Sequence, residues 1–106
     1  MPNLVYEIKN GDDIDGDLKW LSAGERADIK KALPKYLRVD PTRRSSHRKE
    51  LDPNQFEAPW ELRLGALRVL YDVDEADSIV WALRAGREPA DILYIRGVAY
   101  DLRDRV

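Results

Sequence analysis

The stretch from Pro59 to Gly86, PWELRLGALRVLYDVDEADSIVWALRAG, reads as three consecutive antiparallel strands joined by short turns. Trp60 to Leu64 alternates, with Trp60, Leu62 and Leu64 on one face and Glu61 and Arg63 on the other. Gly65 and Ala66 turn the chain into Leu67 to Val73, where Leu67, Val69, Tyr71 and Val73 oppose Arg68, Leu70 and Asp72. Asp74, Glu75, Ala76 and Asp77 make the next turn. In Ser78 to Gly86, strict alternation sends Ile79, Trp81, Leu83 and Ala85 to the core and Val80, Ala82 and Arg84 away from it. With the bulkier faces on one core, Arg63, Arg68 and Arg84 project together from the other side, a pattern that suits an anion or a phosphate. The same pattern also describes solubilising arginines on a wet sheet face, paired across strands with Glu61 and Asp72.

Outward from that hairpin, Leu4 to Ile8 predicts a first strand, and the acidic run Asn10 to Asp17 a turn into a short helix around Asp17 to Leu21. Ser22 and Glu25 have capping-box spacing, so a helix begins at Ala23. Ile29, Leu33, Tyr36 and Leu37 lie on its apolar face, and Arg26, Lys30, Lys31 and Lys35 on its exposed one. Pro34 predicts a kink or an early stop, because it lacks an amide donor and crowds the carbonyl of Lys30. From Val39 to Pro59 periodicity is lost, and a long irregular connection carries Arg43, Arg44, His47, Arg48 and Lys49. His47 has a reference pKa suited to acid–base work, but no partner for it is identifiable, which leaves it a plain loop residue. Beyond Gly86, residues 87–91 read as a loop, Ile92 to Ile95 as a fourth strand, and Val98 to Leu102 as a further short strand or tail. Arg103 to Val106 are expected to fray.

At 106 residues the chain is one domain, residues 1–106, long enough to bury a core. No segment has the apolar length of a membrane span and the first residues lack the order of a signal peptide, which predicts a soluble cytoplasmic protein with no membrane partner. The absence of cysteine excludes disulfides and thiolate chemistry, and a single histidine argues against a histidine-built metal site. The glycines are scattered singly, with no phosphate-cradling loop, so neither a metal nor a cofactor is expected. A net charge of −2 conceals a basic middle: residues 21–50 hold nine basic and four acidic side chains, while the segments on either side are acidic.

WELRLGALRVLYDVDE at 60–75, VWALRAGRE at 80–88 and LYI at 93–95, with RKELDPN and APW before them, resemble the RelE/ParE superfamily of toxins from bacterial toxin–antitoxin pairs. The resemblance is specific over residues 48–95 and loose before that. It implies an α+β, microbial-RNase-like fold, in which an N-terminal strand and helices pack on a small, mostly antiparallel twisted sheet. It also implies a cognate antitoxin, with which the chain forms a hetero-oligomer, and, for the RelE-like branch, cleavage of mRNA on the ribosome. RelE-type toxins surround the phosphate with basic side chains, which stabilise the charge developing there, and stack a tyrosine on a base. Carried over, Arg63, Arg68 and Tyr94 match such positions, while Glu61 and Glu88 stand where basic residues are expected. Arg87 keeps a cation one step from Glu88, and Arg84 compensates in part. The resemblance thus implies Arg63, Arg68, Arg87 and Tyr94 as catalytic residues, and Arg84, Arg43, Arg44, Arg48 and Lys49 as substrate-binding ones. ParE-type relatives, which inhibit gyrase without cutting RNA, fit the two acidic departures better and the WELRLG and LYI segments less well. A degenerate antitoxin-binding protein is the remaining alternative.

Overall fold

A computed structural model describes residues 4–102. The expected fraying of Arg103 to Val106 lies outside the described residues. Strand β1 (Glu7–Asn10), helix α1 (Ile14–Leu18) and helix α2 (Ala23–Leu37) precede strands β2 (Arg48–Glu50), β3 (Trp60–Leu64), β4 (Leu67–Asp74), β5 (Ile79–Arg87), β6 (Leu93–Ile95) and β7 (Val98–Tyr100). The sheet runs β2-β3-β4-β5-β6-β7, all antiparallel, and β1 joins β5 in parallel. The far edge of β5 is therefore divided: Ile79 to Ala82 pair with β1, and Arg87 pairs with Tyr94 of β6.

The capping box forms as the sequence requires, with the Ser22 hydroxyl accepting from the Glu25 amide and the Glu25 carboxylate from the Ser22 amide. Pro34 does not stop α2, which continues to Leu37. A proline in a helix interior costs roughly 3 kcal/mol. Leu37 is fully buried, worth about 2 kcal/mol, and Leu33 packs against the same core, so the last turn is held by tertiary contact. Strand β1 lies further along the chain than Leu4 to Ile8, because Tyr6 donates its amide to the Arg38 carbonyl and its hydroxyl to Glu75 while Leu4 and Val5 stay exposed. The short helix likewise comes earlier, at Ile14–Leu18, and buries Ile14 and Asp17.

The third strand departs from strict alternation. Leu70 pairs with Arg84 and Tyr71 with Ala82, so Leu83 is an extra residue in a β-bulge. The bulge reverses the parity upstream of it: Val80 and Ala82 fill the helix-side core with Ala85, whereas Ile79 and Trp81 are half-buried on the other side. Nor is that other side simply wet. Ala58, Leu70, Leu93 and Ile95 form a second small core there, with Phe56 packed on it. The connection from residue 39 to 59 covers it and contains β2, a three-residue edge strand whose extended form is set by pairing with β3. Asn54 fixes the rest of that loop, donating to the carbonyls of Asp52 and Ala58 and accepting from the amides of Phe56 and Ala58. Among the described residues no helix is long and apolar enough to cross a membrane.

Candidate nucleic-acid interface

Strand register sorts the singled-out residues between the two faces of the sheet. Lys49 stands opposite Glu61, Arg63 opposite Arg68, and Arg68 opposite Gly86, so these side chains share the face away from the helices. Arg87 follows Gly86 and pairs with Tyr94, which places both of those side chains on the helix side. Arg63 and Arg68 therefore act from one face, and Arg87 and Tyr94 from the other.

On the first face, two cross-strand arginines would repel each other, and Glu61 lies between them. Its carboxylate, 2% exposed, accepts from Arg63 Nε at 2.8 Å and lies 3.9 Å from Arg68 Nε. Arg68 donates through Nη1 to the carbonyls of Gly65 and Leu67 and stands 3.6 Å from Glu88. Burial, and then the charge of Glu61, lift the Glu88 carboxyl above its ordinary pKa against the pull of Arg68 and Arg63. Glu61 and Glu88, the two departures from the resemblance, thus meet at one arginine. Among the described residues the Lys49 ammonium has no ion-pair or side-chain hydrogen-bond partner, which leaves it an uncommitted cation on this face.

On the helix side, Arg87 forms a two-pronged pair with Glu25 at 2.5 and 2.8 Å, which together with the Ser22 amide holds the Glu25 carboxyl down at about 2. Tyr94, 44% exposed, shares with Trp20, 59% exposed, a cavity of about 290 Å³ bordered by Arg87 and Arg96. Gly86 is required at its floor, since a Cβ there would overlap the Tyr94 carbonyl oxygen. Trp20 carries a signal in the sequence that marks it for this site, a large aromatic between Lys19 and the Ser22 cap with no periodic partner of its own.

Arg84, opposite Leu70, shares the sheet face of Arg63 and Arg68 but lies across β4 from Arg63. It donates to both oxygens of Asp17, at 2.7 and 3.1 Å, and its guanidinium covers the Phe56 ring. Burial opposes ionisation of Asp17, but Arg84, Arg96 and the Ala85 amide outweigh it and keep the carboxyl below its usual range. In the basic connection, Arg43 and Arg44 are exposed beside Asp40 and Glu50. Arg48 is drawn inward, donating to the carbonyls of Arg43 and Tyr36. His47 stacks on Tyr36 with ring centres 4.3 Å apart, which gives it a packing partner. Among the described residues no group of three His, Cys, Asp or Glu is placed to hold a metal ion.

Among solved structures, a chain of the toxin–antitoxin complex RelBE2 from Mycobacterium tuberculosis is similar, with a TM-score of 0.69 at 22% identity, over 82% of this chain and 95% of that one. The chain has the RelE fold. A second RelE-fold structure, from the archaeal RelE-RelB complex of Pyrococcus horikoshii, gives a TM-score of 0.63 at 19% identity, over 81% of this chain and 97% of that one. No protein-family model matches the chain, and no curated protein sequence matches it.

Proposed function

We propose that this chain is the toxin of a toxin–antitoxin pair, that it acts in the cytoplasm, and that it inhibits translation by cleaving mRNA on the ribosome. The RelE fold, carrying Lys49, Arg63 and Arg68 together on one sheet face, is the observation that supports this reading. Cations fixed on neighbouring strands surround a phosphate without reorganising as its charge grows, and each such contact, being preorganised, lowers the barrier. Lys49 and the exposed head of Arg63 bind the phosphate, Arg68 stabilises it from beneath, and Arg43 and Arg44 add a positive field for docking on RNA. Arg87, Arg84 and Arg48 act as supports, each held by partners in the fold, and Tyr94 stacks on a base at the rim.

The antitoxin covers the toxin until release. A groove of about 550 Å³ between β1, α1 and α2, floored by Ile8, Ile14 and Leu33 and rimmed by Arg26, Lys30 and Arg38, suits an amphipathic acidic segment of such a partner.

The test is to add the purified, antitoxin-free chain to ribosomes translating a defined mRNA and to map new 5′ ends. Cuts inside the decoding site, absent from naked mRNA and lost with Arg63→Ala, support the nuclease. One observation favours a second reading, a toxin that binds without cutting: Arg63, Arg68, Arg84 and Arg87 each face a carboxylate already. Arrested growth without cuts, unaffected by Arg63→Ala, selects that reading, with gyrase as the next target to assay.

A further inference from the structure

We propose that Glu88 is the proton acceptor of the RNA-cleaving reaction, taking the hydrogen of the ribose 2′-hydroxyl as that oxygen attacks the adjacent phosphate. The inference rests on the nuclease reading and gives a working role to a carboxylate where the resemblance leads one to expect a cation.

Three observations carry it. Glu88 is fixed, because it directly follows β5 and its amide donates to the Ala66 carbonyl at 2.7 Å, which pins it beside the β3–β4 turn. Its side chain is also the accessible member of the acidic pair: Glu61 is 2% exposed and already accepts from Arg63, whereas Glu88 is 19% exposed at the rim. Finally, Arg68 is 91% buried and its Nε has no hydrogen-bond partner, although it lies between the two carboxylates at 3.9 and 3.6 Å. A buried donor left unspent is costly, and here it lies in the gap between the two carboxylates, of which Glu88 is the more exposed. A phosphate oxygen entering that gap takes the free donor, with Arg63 and Lys49 on the same face to hold the rest of the group.

The charged groups facing Glu88 are Glu61 and Arg63 from β3, Arg68 from β4 and Asp91 from its own loop, with Lys49 of β2 beside Glu61. Their sum, with burial, moves the carboxyl toward neutrality, the direction that makes a stronger base. In the step itself the bond from O2′ to phosphorus forms and the bond from phosphorus to O5′ breaks. The 2′ proton passes to Glu88, the departing 5′-oxygen is protonated by solvent water, and Glu88 returns its proton to solvent. The products are a 2′,3′-cyclic phosphate and a 5′-hydroxyl, with no net gain or loss of protons.

The experiment compares single-turnover cleavage of ribosome-bound mRNA by the full chain, Glu88→Gln, Glu88→Asp and Glu88→Arg across pH. For a proton acceptor, Glu88→Gln slows cleavage by about 100-fold or more, leaves ribosome binding within about twofold and abolishes the fall in rate at acid pH. Glu88→Asp keeps that acid limb with an intermediate rate. If Glu88 merely neutralises the arginines, Glu88→Gln and Glu88→Arg cleave as fast as the parent or faster, and the proposal is overturned. Cleavage by the parent with an undiminished Glu88→Gln rate rejects Glu88 alone, whereas no cuts by any variant reject the nuclease reading beneath it. Circular dichroism of each variant identifies a rate lost through unfolding, and Glu88→Asp then decides.

Discussion

Asp17 gathers four hydrogen bonds on one sealed carboxylate, two from Arg84 and one each from Arg96 and the Ala85 amide. Removing one member of a buried ion pair costs about 3–5 kcal/mol, and the lower end applies here because Arg96 is 40% exposed. Asp17→Asn is expected to lower the melting temperature by roughly 12 °C or more, measured by thermal denaturation. A shift below about 4 °C means that water takes over the two guanidinium groups. The residue types in this arrangement were all readable, but their meeting was not. Asp17 has the local signature of an acid near a helix N-terminus and Arg84 that of a surface strand residue, and 67 positions separate them. Only the docking of α1 on the end of β5 brings them together.

Among the elements, β3 and β4 were legible because each alternates cleanly against a buried face, and α2 because its cap and its apolar spacing agree. Strand β5 was legible as a strand but not in its facing, since a bulge leaves no mark on period-2 counting and Leu83 is as apolar as its neighbours. Strand β2, three charged residues long, has no pattern of its own and exists through β3. The separation of Arg63 and Arg68 from Arg87 and Tyr94 was hidden for another reason: residues 87–91 read as a loop, whereas β5 runs on to Arg87 and pairs it with Tyr94 on the helix side. Helix α2 carries the element-scale prediction. Lys30 and Arg38 are exposed at the rim of the groove it forms with β1, so, on the proposed toxin–antitoxin reading, Lys30→Glu with Arg38→Glu is expected to weaken capture of an acidic antitoxin about tenfold or more without altering the circular dichroism spectrum. Capture at unchanged affinity would place that partner elsewhere on the chain.

Across the whole molecule the carboxylates respond to acid in opposite senses. Asp17 and Glu25 have lowered folded pKa values, so their stabilisation is complete above about pH 4 and is lost as pH falls through the folded values, near 2 for Glu25. Glu88 has a raised one, so its contribution is complete below about pH 4 and declines as pH rises through its folded value. Melting temperature is therefore expected to increase modestly from neutrality into mild acid, then drop steeply below about pH 4. Glu88→Gln should flatten the rise alone, and a parent curve that falls steadily from pH 7 contradicts this assignment.

The divided far edge of β5 also has a bearing on when the molecule exists. Residues 7–10 and 93–95 both need residues 79–87 before they have a partner, and Arg96 must reach back to the carbonyl of Asp13. A chain emerging from a ribosome cannot complete this sheet until residues 79–100 have been synthesised, because β1 waits for β5 and the rest of that edge for β6 and β7. If the chain is the ribosome-directed toxin proposed above, an unfinished sheet leaves it harmless to the ribosome that makes it, which gives an antitoxin time to be present when the sheet closes.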